Sequence, residues 1–509
     1  MFEVKDIDLA GRIGILSSRN TSIETPAFMP VIDPIRQEVS LKEIQEIGFN
    51  QIITNAYLIL KRFGDKAVKH GIHGILGFDG LIMTDSGAYQ ILEYGGIDVN
   101  QEAIVKYQIA IKSDIGVILD HPTGDVDFTE AKKSVELTLK RAREAEGIII
   151  NTDMIWVLPI QGGRHFDLVE YSARKSKQFK FYGMYGIGSP TVFLEKYRYD
   201  TVIEIIYRAK KHLPPGKPVH LFGAGHPLIL PFAVALGIDT FDSASYILYA
   251  RDDRYMTEFG VYRLKDLEYL PCNCPICSRY SIDEIRNMGK RERTRVLALH
   301  NLYVIERIIR RIKQAIREGR LWEFLEEVSR RHPQAYSAFR KMINYYTYLE
   351  KFTPRVKGIV RGIKVYSEES LYNPKIARFR DRSVNLRLPS PSIYNSRVRF
   401  YPISRNTECA SSEKEFKVYY GPYIGVIPAP LCGIYPSTQF DYPTIVPNTI
   451  IEDLVLLLLR YISKLRSSGF RYITIMYDNN LEWSVKVIER LRILSTKINI
   501  EISPLNEDY

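Results

Sequence analysis

IGVILDHPTG, residues 115–124, is a short apolar run that ends on an aspartate and a turn. Nothing in Ile115–Leu119 is polar, so the run has no face to offer water. It reads as a strand covered on both sides, the kind that parallel sheets contain. Working outward, the first 250 residues hold eight segments of this type. The others are TPAFMPVI (Thr25–Ile32), QIIT (Gln51–Thr54), LIMT (Leu81–Thr84), IWVLPI (Ile155–Ile160), FYGMYGI (Phe181–Ile187), PVHLF (Pro218–Phe222) and DTF (Asp239–Phe241). Amphipathic stretches such as Glu130–Glu146 and Tyr199–Lys211 separate them. Buried strands alternating with helices predict an α/β protein, and eight such units suggest a closed (β/α)8 TIM barrel. A doubly wound open sheet is the competing fold.

The strand ends favour the barrel. Asp85 follows the third segment, Asp120 the fourth, Gln161 the fifth, Gly188 and Ser189 the sixth, and Asp242 the eighth. A barrel brings the carboxyl ends of all its strands to one mouth, whereas an open sheet has a single crevice. A carboxylate in such a place must be paired, hydrogen-bonded or functional. Singly, each aspartate could equally cap a helix or hold a loop N–H. Three at one mouth point instead to chemistry. One carboxylate can attack C1′ of a ribose while another moves protons, the division of labour in retaining glycosyl transfer. The QGG of Gln161–Gly163 supplies an amide beside backbone that can approach a ligand closely. The GIGSP of 186–190 suits a planar ligand bonded through main chain. FGAGHP (222–227) lacks the Lys-Ser/Thr pair of a phosphate loop.

Three of the five cysteines fall within PCNCPICS: Cys272, Cys274 and Cys277, with His300 following in LALHNL. Three thiolates and an imidazole make a closed tetrahedral zinc site, one structural zinc per chain. An iron–sulfur cluster, or thiols packed without metal, are the alternatives.

The charged fraction is 25% and the hydrophobic fraction 45%, ordinary for a folded globular chain. The longest apolar stretch, Leu454–Leu459, is bracketed by Asp453 and Arg460 and is far too short to span a membrane. The N-terminus has no apolar targeting core, so the cytoplasm is the expected location. The net charge of +11 attracts polyanions, nucleic acid first, although it also serves solubility. A basic helical stretch runs from about Ile282 to Tyr348. Ile305, Ile308, Ile309, Ile312 and Ile316 form its apolar face, and Arg307, Arg310, Arg311, Lys313 and Arg317 lie opposite. That basic face is either solvated or turned to RNA. The expected domains are a catalytic barrel over 1–350, with a zinc subdomain at about 265–305, then a first accessory domain over 351–445 and a small α/β accessory domain over 446–509. Together the last two form a smaller C-terminal α+β region, including a strand over Ile498–Ser503.

TDSGAYQ, LDHPTG, PIQGG, GIGSP, EKYRY, FGAGHP, DTFDSASY and CNCPIC with His300 together resemble the tRNA-guanine transglycosylase family. GIGSPTVFLEKYRYD and GPYIGVIPAPLCGIYPSTQFDYP are similar to its archaeal branch. The resemblance implies a zinc-bearing TIM barrel that exchanges guanine 15 of the tRNA D-arm for 7-cyano-7-deazaguanine, a step toward archaeosine. It implies that Asp242 attacks C1′ to form a covalent intermediate and that Asp85 is the general acid and base. Ser86, Asp120, Gln161, Gly162, Gly188 and Ser189 would bind the base. It further implies a homodimer. A C-terminal PUA domain is not expected here, so the basic helices or a separate RNA-binding protein would grip the tRNA.

Overall fold

The computed structural model describes residues 1–19, 21–87, 100–404, 407, 409–410, 412–494 and 500–505. The chain forms two compact units, Met1–Pro354 and Arg355–Tyr509.

The first unit is a closed barrel of eight strands: Ala27–Ile32, Gln51–Asn55, Leu81–Asp85, Ile115–Val117, Ile155–Ile160, Met184–Ile187, Val219–Leu221 and Thr240–Ser243. Every neighbouring pair is parallel, and the last strand pairs with the first. All eight expected segments are barrel strands, which excludes the open sheet. Side chains alternate across a strand, and that period sorts the core into two layers. Ala27, Met29, Ile53, Leu81, Met83, Ile115, Val117, Val157 and Met184 fill the barrel interior. Their neighbours Phe28, Ile52, Ile82, Leu158, Tyr185, Leu221 and Phe241 pack outward against the helices. Continued toward the mouth, the inward parity reaches Asp85, Gln161, Gly188, His220 and Asp242. An antiparallel sheet of Phe2–Asp8, Gly11–Ser18 and Thr21–Thr25 joins the same core through Leu16 and Ile23.

After the eighth strand come a hairpin (Arg254–Thr257 with Gly260–Arg263), two short helices (Pro275–Arg279 and Ile282–Asn287) and the long helix Lys290–Glu318. That helix buries Ile305, Ile308, Ile309, Ile312 and Ile316, as its spacing predicts. Much of its basic face is engaged within the chain. Arg307 and Arg311 pair with Glu258, Arg310 with Glu306 and Lys313 with Glu24.

The second unit is a five-stranded sheet in the order Gly425–Pro428, Phe416–Gly421, Arg397–Pro402, Tyr472–Tyr477 and Glu501–Pro504. The first pair is antiparallel and the others parallel. Strands from both sides of residue 445 therefore share one sheet and one core, in which Phe400, Tyr420, Leu454, Leu458, Tyr461, Ile475 and Trp483 meet. Residues 498–499 of the expected last strand lie outside the described residues. Leu454–Leu459 lies in the helix Asn448–Ser467, and among the described residues no helix is long and apolar enough to cross a membrane. Cys409 and Cys432 form a disulfide.

Candidate active site and metal centre

The three mouth carboxylates sit in three different environments. Asp85 is the last residue of its strand, half-buried, and its Oδ2 accepts a long bond from the Gly87 N–H at 3.4 Å. Removal from water, then the nearby charges of Asp120 and Asp242, push its carboxyl up to about 7. Asp120 lies three residues beyond its strand and is buried. Burial raises it to about 6, against the hydrogen bond from Gln161 and the charge of Arg141. Asp242 lies inside its strand, Thr240–Ser243, rather than after it. Its Oδ1 accepts from His220 Nε2 at 2.9 Å and from the Gly223 N–H at 2.9 Å.

A hydrogen-bond web holds the amide between them. Gln161 Nε2 donates to Asp120 Oδ2 at 2.5 Å. Gln161 Oε1 accepts from the Thr123 N–H (3.1 Å), Thr123 Oγ1 (3.1 Å) and Ser189 Oγ (2.9 Å). With its acceptor saturated, the amide cannot flip, and its N–H must face Asp120. Gly188 makes room for this: a Cβ there would lie 2.3 Å from Gln161 Nε2. Ser189 follows with φ 61°, a conformation that costs energy for a non-glycine residue. Its hydroxyl donates to Gln161 and accepts from the Thr123 N–H at 2.8 Å, so its main chain is the part left to meet a ligand. The Gly162 N–H is spent too, on Thr123 Oγ1 at 3.0 Å. Ser86 Oγ is buried with no hydrogen-bond partner among the described residues. Ala88, Tyr89 and Gln90 of the TDSGAYQ motif lie outside the described residues.

The fold thus brings Asp85, Ser86, Asp120, Gln161, Gly162, Gly188, Ser189 and Asp242 to the carboxyl ends of the barrel strands. Sequence reasoning missed two residues, Thr123 and His220. Thr123 lies in the quoted LDHPTG. His220 was detectable by parity: in PVHLF it stands between two outward residues, Val219 and Leu221, so it points inward.

Cys272, Cys274, Cys277 and His300 converge, their ligand atoms all within 4.8 Å of one another. His300 Nδ1 lies 3.4 Å from Cys274 Sγ and 3.3 Å from Cys277 Sγ. Its Nε2 faces the Met256 carbonyl at 2.8 Å, which leaves Nδ1 as the ligand atom. Tyr255 stacks on the imidazole with centroids 3.7 Å apart. Three thiolates and one imidazole at these spacings can coordinate a metal ion.

Among known families, the one described as Queuine tRNA-ribosyltransferase matches residues 8–334. A tRNA-guanine(15) transglycosylase of Aeropyrum pernix is 54% identical over 97% of this chain and 97% of its own length. One of Sulfolobus acidocaldarius is 47% identical over 89% of this chain and 91% of its own. One of Pyrococcus abyssi is 45% identical over 82% of this chain and 72% of its own.

Proposed function

This chain belongs to the queuine tRNA-ribosyltransferase family, in its archaeal-type tRNA-guanine(15) transglycosylase branch, and on that premise we propose how its three mouth carboxylates share the work of base exchange. The enzyme is a pentosyltransferase that acts on tRNA at guanine 15. One observation carries the assignment of roles: the carboxylates differ in what holds them. Asp242 has one oxygen fixed by His220 Nε2 and the Gly223 N–H, while Asp85 has a carboxyl near 7 that can give and take a proton at neutral pH.

Asp242 Oδ2 attacks C1′ of the ribose. The C1′–N9 bond breaks, its electron pair leaves with guanine, and guanine takes a proton from Asp85. The incoming base, 7-cyano-7-deazaguanine, then gives its N9 proton to Asp85 and attacks C1′, and the ester bond to Asp242 breaks. Two displacements give net retention. The ionised carboxylate also offsets the positive charge that grows on the ribose. Asp120, the free N–H of Gln161, Ser86 Oγ and the main chain at Gly188–Ser189 read the base edge. Gly162 supports the reading by position, since its N–H is already bonded to Thr123.

Zinc held by Cys272, Cys274, Cys277 and His300 is structural in this reading. Metal analysis should find about one zinc per chain, and chelation should lower the melting temperature. Fully active, fully stable protein without metal would overturn it. The homodimer is supported by exposed aromatic side chains beside the cysteine loop, Phe259, Tyr262 and Tyr269.

The test is Asp242→Asn, which keeps the shape and loses the nucleophile. Wild-type protein incubated with tRNA and the deazaguanine base, then denatured, should carry a covalent protein–RNA adduct. The variant should bind tRNA, trap no adduct and exchange no base. Exchange at the wild-type rate would move the nucleophile to Asp85 or Asp120.

A further inference from the structure

The hydrogen bonds behind Asp242 have a direction, and the direction assigns a role to a residue outside the three carboxylates. His220 has no solvent exposure (0%) and lies on the adjacent strand, level with Thr240. Its Nε2 is 2.9 Å from Asp242 Oδ1 and its Nδ1 is 2.8 Å from Thr240 Oγ1. An ionised carboxylate can only accept, so Nε2 carries the proton. Nδ1 pairs on the far side with the Thr240 hydroxyl, which can donate or accept. The Gly223 N–H donates to the same Oδ1 at 2.9 Å. Oδ1 therefore has two donors, and Oδ2 has none among the described residues. The ring is pinned from the side as well, edge-on to Phe222 with centroids 4.5 Å apart. Being fully buried, it leaves no room for a water to stand in for it.

We propose that His220 is a positioning residue for base exchange: donating from Nε2, it anchors Asp242 Oδ1 so that Oδ2 is the oxygen presented to C1′. This rests on the reading of Asp242 as nucleophile. Attack needs the oxygen within a few tenths of an ångström of its productive place. A carboxylate held by Gly223 alone could still rotate about that single bond.

The test uses full-length protein and full-length tRNA. His220→Phe keeps a ring and removes the donor. It should lower kcat on the order of 10- to 100-fold with KM for tRNA and base unchanged, and it should still form the covalent adduct, but slowly. His220→Gln places an amide N–H near the position of Nε2 and should recover most of the rate. Thr240→Val removes the ring's partner at Nδ1 and should give a smaller loss in kcat, again without a change in KM. Wild-type kcat in His220→Phe would overturn the proposal. So would a His220→Gln variant as slow as His220→Phe, since shape rather than the donor would then be what matters. If His220→Phe does not fold, the Gln and Val variants decide by the same split between kcat and KM. Asp242→Asn run alongside separates the two readings. Adduct formation by Asp242→Asn means the nucleophile is elsewhere. An inert Asp242→Asn beside a fully active His220→Phe removes only the role of His220.

Discussion

Asp239 and Asp242 stand three residues apart in DTFDSAS, both at the eighth barrel strand and both buried, yet their surroundings differ in kind. Asp239 is at the entrance of the strand. Its Oδ1 accepts from Arg12 Nε at 2.9 Å, and its Oδ2 accepts from Arg12 Nη2 at 2.5 Å and from the Val219 N–H at 2.8 Å. Arg12 in turn donates to the carbonyls of Pro215 and Lys217. A bidentate cation neutralises that carboxylate and uses both its oxygens. Asp242, at the exit, receives His220 Nε2 and the Gly223 N–H, both on one oxygen. A carboxylate with a cation and no free oxygen holds the chain together. One whose bonds among the described residues all fall on one oxygen keeps the other for reaction.

Two substitutions should break this contrast in opposite directions. Asp242→Asn should cost activity, at least about 10^3-fold as for other nucleophile deletions, and leave the unfolding midpoint near that of wild type. Arg12→Ala should do the reverse. It strands the Asp239 charge in the interior, where breaking a buried pair costs about 3–5 kcal/mol. Denaturant unfolding should record that loss, while the folded fraction exchanges base at the wild-type rate. An Arg12→Ala protein as stable as wild type would mean that water reaches Asp239. A loss of kcat in that variant would mean that the entrance of the barrel is coupled to the mouth.

The same pair of aspartates shows what a sequence can convey. The eight strands were legible because each is a continuous apolar run, and the mouth was legible because polar residues stop those runs. The metal ligands were legible because three cysteines crowd into six residues. The partners were not. Arg12 lies 227 residues from Asp239, so nothing local marks it. Thr123 and Ser189 bind Gln161 across 38 and 28 residues, and only the closed barrel brings them together. His220 is intermediate: its inward parity is visible in PVHLF, but its bond to Asp242 needs the neighbouring strand in register. In the second unit, Arg397–Pro402 pairs with both Phe416–Gly421 and Tyr472–Tyr477. That sheet order depends on a crossover, which composition does not report.

The finest distinction lies between the two carboxylates with raised values, and Asp120→Asn probes it with the smallest expected effect. The Asp85 carboxyl stands near 7 through burial first and the charge of Asp120 second. Guanine departs when Asp85 is protonated, so exchange by wild-type protein should fall on the alkaline side of about pH 7. Asparagine at 120 keeps the volume and removes the charge, which makes Asp85 easier to ionise. The alkaline limb of single-turnover exchange should therefore shift to lower pH. Stability carries the same sign. A folded-state value raised from 3.8 toward 7 favours the fold in acid, and that contribution is lost as pH rises through about 7. Asp120 adds a similar loss through about 6. Because the two groups interact, the wild-type transition belongs to the pair rather than to either residue. In Asp120→Asn the unfolding midpoint should fall less between pH 5 and pH 8 than it does in wild type. An alkaline limb that stays put or moves upward would mean that the two carboxylates do not sense each other. The proton that guanine takes would then have another source.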